Sequence, residues 1–190
     1  MKRIGITGGI GSGKSVVSDV LSCMGIPTYN ADNASKRLIS TRKDLISALK
    51  KLLGNNIYAH GILDKKRMAR LIFSDKELLA KVNGLIHPAV IDDFLAWSEL
   101  RNAPIVACET AILFESGMNK LMDACITVTA PLELRIERCI QRDNTTEEQV
   151  RARMNNQMDE EDRIKLADHV IINDGERAVL PQIWDIFETL

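Results

Sequence analysis

The residues that promise chemistry stand near the start of the chain. Gly8-Gly9-Ile10-Gly11-Ser12-Gly13-Lys14-Ser15 satisfies G-x-x-x-x-G-K-[ST] at every fixed position. Each type has a task. Glycines let a backbone turn tightly and bring N–H groups close to phosphate oxygens. A helix that starts at the loop adds its positive end to the same anion. Lys14 can reach β- and γ-phosphates, and the Ser15 hydroxyl can ligate Mg²⁺. The stretch from Gly11 to Val16 is therefore the expected binding segment for nucleotide phosphates: Gly11, Ser12, Gly13, Lys14, Ser15 and Val16. The loop alone does not separate a kinase from a GTPase, a motor or a regulator.

Three carboxylates and one cluster of arginines could complete a phosphoryl-transfer site. Asp32 follows Ser15 by 17 positions, enough for one helix and one short strand. That returns the chain to the carboxyl edge of a sheet, where the loop lies. There it could orient an attacking hydroxyl, or serve as a helix cap. Glu109 ends an apolar run, Pro104–Cys108, and is a candidate for magnesium alongside Ser15. Glu115, after Ala111–Phe114, has similar standing. Arg135, Arg138 and Arg142 share one predicted helix, and Arg151, Arg153 and Arg163 follow; in a phosphate-loop protein this is where a mobile lid could bring guanidinium groups onto transferring phosphates. The bland alternative is a solvated charged face, with Glu133, Glu137, Glu147 and Glu148 as partners. His87 precedes Pro88, where a capping or packing role is usual; His60 and His169 carry no pattern.

These residues need elements to hold them. Lys2–Thr7 reads as a strand, and Ser15–Met24 as a helix stopped by Gly25. Thr28-Tyr29 reads as a brief strand. From Ala34 to Arg101 the apolar spacing is almost wholly helical, with Pro88 opening a new helix. Strands return at Pro104–Cys108 and Ala124–Thr129. Pro131 opens the arginine helix, and Thr145-x-x-Glu148 reads as a capping box for the next. A last strand, His169–Ile172, precedes a last helix. Strands separated by helices mean a parallel, helix-covered α/β sheet. The helical stretch is too long for one crossover and reads as an insertion on the substrate side.

The balance of the chain sets bounds. Its 190 residues suit one domain, or one domain with an insertion. With 45% apolar residues it can build a core, and 25 basic against 26 acidic residues argue against a general nucleic-acid binder. No apolar run approaches a membrane span or a signal h-region, so a cytoplasmic location is expected. Cys23, Cys108, Cys125 and Cys139 are dispersed and read as reduced thiols. An Asn-Lys-x-Asp segment, commonly used for guanine recognition, is absent: Asn119-Lys120 runs on to Leu121-Met122.

Taken in order along nearly the whole chain, these segments resemble a dephospho-coenzyme A kinase. Ile4–Ser15 resembles that family's opening strand and loop. Asn30-Ala31-Asp32 matches its Asp-Ala-Asp element, with Asn for the first Asp. Ile86–Val90 matches its His-Pro element, and Ala111–Glu115 its Pro-Leu-Leu-Phe-Glu stretch, with Ala111 for Pro. Arg138 with Gln141-Arg142-Asp143 resembles its lid entrance; Gln157 and Ala167–Gly175 resemble its closing segment. Glu109 stands where many relatives carry Asp.

The resemblance implies a three-layer α/β/α P-loop kinase fold with a parallel sheet, like nucleoside-monophosphate kinases. Its core would be 1–33, 103–137 and 167–190, with a helical substrate-binding insertion at 34–102 and a small lid at 138–166. It implies transfer of phosphate from ATP, with Mg²⁺, to the ribose 3′-hydroxyl of dephospho-coenzyme A. No nucleic acid, membrane or obligatory protein partner is expected. Carried over by position, Lys14, Asp32 and Arg142 become catalytic, Asp32, His87 and Glu115 meet the substrate, Asn173 lies toward the adenine, and Ser15 and Glu109 attend the metal. Another small-molecule kinase, acting on a nucleoside monophosphate or a sugar, fits loop and lid equally well; a nucleotide-binding switch fits less.

Overall fold

The computed structural model describes residues 1–73 and 75–190. Two compact units emerge: residues 1–30 with 101–190, and residues 31–100.

The first unit is built on a five-stranded parallel sheet. Its strands are β1 (Lys2–Thr7), β2 (Thr28–Asn30), β5 (Ile105–Glu109), β6 (Ala124–Thr129) and β7 (His169–Ile172), ordered β2-β5-β1-β6-β7. In register, Ile4 of β1 lies between Ala107 and Ala124, and Ile6 lies opposite Ile126. These residues are buried with Val17 and Leu21 of α1 (Lys14–Cys23) and with Ile183 and Ile186 of α9 (Val179–Thr189). The central strands read as continuous apolar runs because a parallel sheet is covered on both faces. After β1 the chain crosses to β2 on one side, and it later lays β6 on the other. The carboxyl end of β1 thus sits at a topological switch point, where open α/β sheets bind ligands. The same unit carries α6 (Leu132–Asp143), α7 (Glu147–Met154) and α8 (Glu160–Leu166). Ile136 and Cys139 of α6 and Val150 of α7 make a small separate core.

The second unit holds α2 (Ala31–Thr41), α3 (Lys43–Leu53), the hairpin strands β3 (Tyr58–Ala59) and β4 (Ile62–Leu63), α4 (Lys65–Phe73) and α5 (Lys76–Glu99). Helices α2, α3 and α4 all pack on α5. Asp75 caps α5 by accepting from the Leu78 amide at 2.9 Å.

Three local expectations change. The 34–101 stretch is not wholly helical. His60 and Gly61 both take positive φ, 51° and 80°, which closes a two-residue hairpin turn inside it. Pro88 does not open a helix; it lies within the continuous α5. Pro88 and Gly84, whose carbonyl an N–H at 88 would have bonded, are both exposed, so water can take the lost bond. The cap of α7 is Thr146, which accepts from the Gln149 amide, rather than Thr145 with Glu148. Glu109 ends its strand as expected and is itself the last residue of β5. Ala124–Thr129 and His169–Ile172 are strands with the expected bounds.

Candidate active site

The loop between β1 and α1 is a ring of backbone held from outside. Gly13, at φ 91°, is the left-handed N-cap of α1, a conformation that favours glycine. Arg135 donates from Nε to the Ile10 carbonyl at 3.0 Å. Arg138 donates from Nη1 to the Asn173 carbonyl at 3.0 Å, with Gly11 O at 3.5 Å. Asn173 Nδ2 donates to the Ser12 carbonyl at 2.9 Å. Three successive carbonyls are thus each met by a side-chain donor.

The consequence follows from peptide geometry. In a trans peptide the carbonyl of one residue and the N–H of the next point in opposite directions. Fixing Ile10 O and Ser12 O therefore turns the Gly11 and Gly13 amides the other way. Neither amide, nor those of Lys14 and Ser15, has an acceptor among the described residues. Four orphan donors at the positive end of α1, whose first residue is Lys14, form a nest for a multiply charged anion.

The carboxylate side is built from β5 and β2, which pair with Asn30 opposite Glu109. Glu109 is 5% exposed, so its charge needs partners. Asn30 Nδ2 donates to Oε2 at 2.7 Å, and the Ser15 hydroxyl donates to Oε1 at 3.2 Å. With its proton committed to Glu109, the Ser15 oxygen keeps its lone pairs for a cation. The donor set is oxygen only, which suits a hard ion such as Mg²⁺ that completes its shell with phosphate oxygens and water. Asn30 also explains itself: an Asp there would set a second carboxylate against the first.

The remaining candidates fall as follows. Asp32 is exposed in the first turn of α2, and His87 is half-buried on α5; both belong to the second unit. Glu115, in the turns after β5, accepts from the Met158 amide at 3.2 Å. Val16 is half exposed on α1. Arg142 lies at the end of α6 with its side chain 62% exposed, paired with Asp143, which also pairs with Arg153. The Arg142 guanidinium, first of all through its hydrogen bond, holds the Asp143 carboxyl down to about 2. Of the three arginines on α6, Arg135 and Arg138 reach the loop, while Arg142 is engaged by Asp143.

Sequence reasoning gave Glu160 no role, and it did not connect Gln157 or Arg163 to the support of the loop. Gln157 accepts from the Ile10 amide at 2.9 Å. Glu160 takes Arg135 Nη1 at 2.8 Å and Arg163 Nη1 at 2.9 Å on the same oxygen, Oε2. The three-residue spacing of Glu160 and Arg163 signals a helical pair. Nothing in that acidic run signals that Arg163 would be 1% exposed.

Comparison with known proteins finds relatives along nearly the whole chain. The family model for Dephospho-CoA kinase (CoaE) matches residues 2–178. The Dephospho-CoA kinase of Bacteroides fragilis is 43% identical over 189 residues, 99% of this chain and 92% of that protein. A solved structure from Thermus thermophilus is 34% identical with a TM-score of 0.88, covering 99% of this chain and 96% of that one. The Dephospho-CoA kinase from Campylobacter jejuni, 23% identical, shares the fold at a TM-score of 0.69, covering 100% of this chain and 96% of that one.

Proposed function

The chain belongs to the dephospho-CoA kinase family, and on that premise we propose that it transfers the γ-phosphoryl group of ATP to the ribose 3′-hydroxyl of dephospho-coenzyme A. The observation that supports it most is the loop: among the described residues the Gly11, Gly13, Lys14 and Ser15 amides have no acceptor, and the Ser15 hydroxyl at the start of the same helix pairs with Glu109.

Phosphoryl transfer passes through a loose transition state, so positioning and charge neutralisation dominate catalysis. The loop amides and Lys14 hold the β/γ-phosphates and neutralise charge as it moves to the leaving oxygen. Ser15 and Glu109 would hold Mg²⁺, which supplies Lewis-acid neutralisation of phosphate oxygens when bound. Asp32 orients the acceptor hydroxyl and accepts its proton. His87 and Glu115 serve the substrate side, and Asn173 serves the adenine side while steadying Ser12. Segment 138–166 acts as the lid, with Arg142 leaving Asp143 for the transferring phosphate and water excluded on closure. We place this work in the cytoplasm; among the described residues no helix is long and apolar enough to cross a membrane.

The test is ADP release with ATP and a panel of acceptors. Dephospho-coenzyme A is expected to support turnover, and nucleoside monophosphates and free sugars are not. Asp32→Asn is expected to abolish most acceptor-dependent release while ATP still binds, because Asn keeps the size of the exposed first-turn Asp but is no base. Full turnover with Asn at 32 removes Asp32 from the mechanism; turnover of another acceptor alone removes the proposed substrate.

A further inference from the structure

Behind the phosphate loop lies a charged cluster that the transfer chemistry above does not use. Arg135 is 7% exposed and Arg163 1%, and they share the single carboxylate of Glu160. Two guanidinium groups buried on one carboxylate are a poor source of stability, since desolvation offsets most of the attraction. The arrangement does fix geometry. Arg135 presents a rigid fork: Nε donates to Ile10 O and Nη1 to Glu160. Arg163 holds Glu160 with one arm and the Met158 carbonyl with the other, at 2.7 Å. The residue next to Met158 is Gln157, which takes the Ile10 N–H. Both polar groups of Ile10 are therefore gripped from the start of α8, one through Arg135–Glu160 and one through Gln157–Met158–Arg163.

Gly9 supplies an independent observation. It does not have positive φ, so backbone conformation does not demand glycine there. A Cβ on Gly9 would collide with the Arg135 guanidinium and stand 3.1 Å from Glu160 Oε2. Glycine at this position makes room for the cluster.

We propose that Arg135, Glu160, Arg163 and Gln157 form a positioning latch, through which the α7–α8 segment sets the Ile10 peptide units and so the presentation of the loop amides to nucleotide phosphate. The latch rests on the nucleotide reading above. It makes nucleotide affinity depend on how the 155–160 segment is seated, without any of the four residues touching the reacting atoms.

The test uses the full chain, a non-hydrolysable β,γ-imido analogue of ATP with Mg²⁺, and dephospho-coenzyme A. Arg135→Lys keeps the charge but cannot span Ile10 O and Glu160 as a fixed fork. Gln157→Ala removes an acceptor at a half-buried neutral position, so it remains informative where Arg135→Lys disturbs folding. Each variant is expected to bind the analogue about tenfold more weakly, the scale of one hydrogen bond. The double variant is expected to lose about the same tenfold rather than about a hundredfold, because both changes release one peptide segment. Affinity for dephospho-coenzyme A is expected to stay within about twofold, which general loosening of the fold would not allow. Analogue binding by Gln157→Ala within about threefold of the parent, or a parallel loss for both ligands, overturns the latch. A parent protein that fails to bind the analogue overturns the nucleotide reading itself, and the latch with it.

Discussion

Replacing Asn30 with Asp puts a second carboxylate against the buried Glu109, and in this site it should be harmful. Asn30 Nδ2 lies 2.7 Å from Glu109 Oε2, and Glu109 is buried. Asp at 30 swaps a donor for a second negative charge. At the observed 2.7 Å separation, an effective dielectric of ~20 gives about 6 kcal/mol of repulsion, and relaxation to ~4 Å still leaves about 4. Protonation caps the cost. Holding a proton at pH 7 on a carboxyl with an ordinary pKa near ~4 costs about 4 kcal/mol. Allowing for side-chain rotation, we expect about 3 kcal/mol of destabilisation at pH 7 without metal. For a chain of this size that lowers Tm by roughly 6–12 °C. The sign with pH is fixed: the variant's folded state takes up a proton that its unfolded state releases, so the deficit must shrink as pH falls from 7 toward 5. Mg²⁺ between the carboxylates should raise the variant's Tm more than the parent's. The assay is thermal melting at several pH values, with and without Mg²⁺. A variant that melts within about 2 °C of the parent at pH 7, with no pH-dependent gap, refutes the claim that Asn30 exists to hold Glu109.

Lys14→Ala is expected to lower kcat by at least ~10²-fold with little change in melting, as for other electrostatic donors; near-normal turnover would remove the loop from the chemistry. Arg142→Ala should reduce turnover far more than Arg151→Ala, while both leave the melting temperature nearly unchanged, since both ion pairs are at the surface and screened by solvent. Equal kinetic effects would reduce the arginines to a charged surface. In a thiol-reagent titration at pH 8, Cys23 should react first. Cys108, Cys125 and Cys139 are buried, and burial, with the nearby Asp168 charge, pushes the Cys125 thiol up to about 11. Fast reaction of more than one thiol in the folded protein would contradict that packing.

Legibility in the sequence follows the range of the forces involved. The strands, α1 and the loop were readable because their signals are local: apolar runs, a glycine stop and a motif of fixed spacing. The β3–β4 hairpin was not, because His60-Gly61 is a weak turn signal inside a stretch whose apolar spacing suits helices. Pro88 misled for the opposite reason. Its local rule is strong, but solvent at Gly84 makes the broken hydrogen bond tolerable, and the packing of α2, α3 and α4 on α5 favours one continuous helix. Arg142 drew attention by its place in the arginine series, yet charge and spacing do not tell which guanidinium faces the loop. That is settled by tertiary contacts 125 and 127 residues away in sequence, which Arg135 and Arg138 make.

The glycines of the loop show how a motif can be right for more than one reason. Read alone, they make room for phosphate. In the folded chain they also make room for protein. A Cβ at Gly11 would meet the Arg135 backbone, one at Gly13 the Asn173 amide, and one at Gly9 the Arg135 guanidinium. The groups that crowd the outside of the loop are largely those that hold its carbonyls, and holding the carbonyls outward is what leaves the amides free. A side chain at any of these positions therefore acts twice, by filling space and by displacing the donor that orients the neighbouring peptide. Gly9 separates the two effects, because its φ does not call for glycine while its surroundings do. The atoms that a Cβ there would meet first belong to the arginine and glutamate behind the loop.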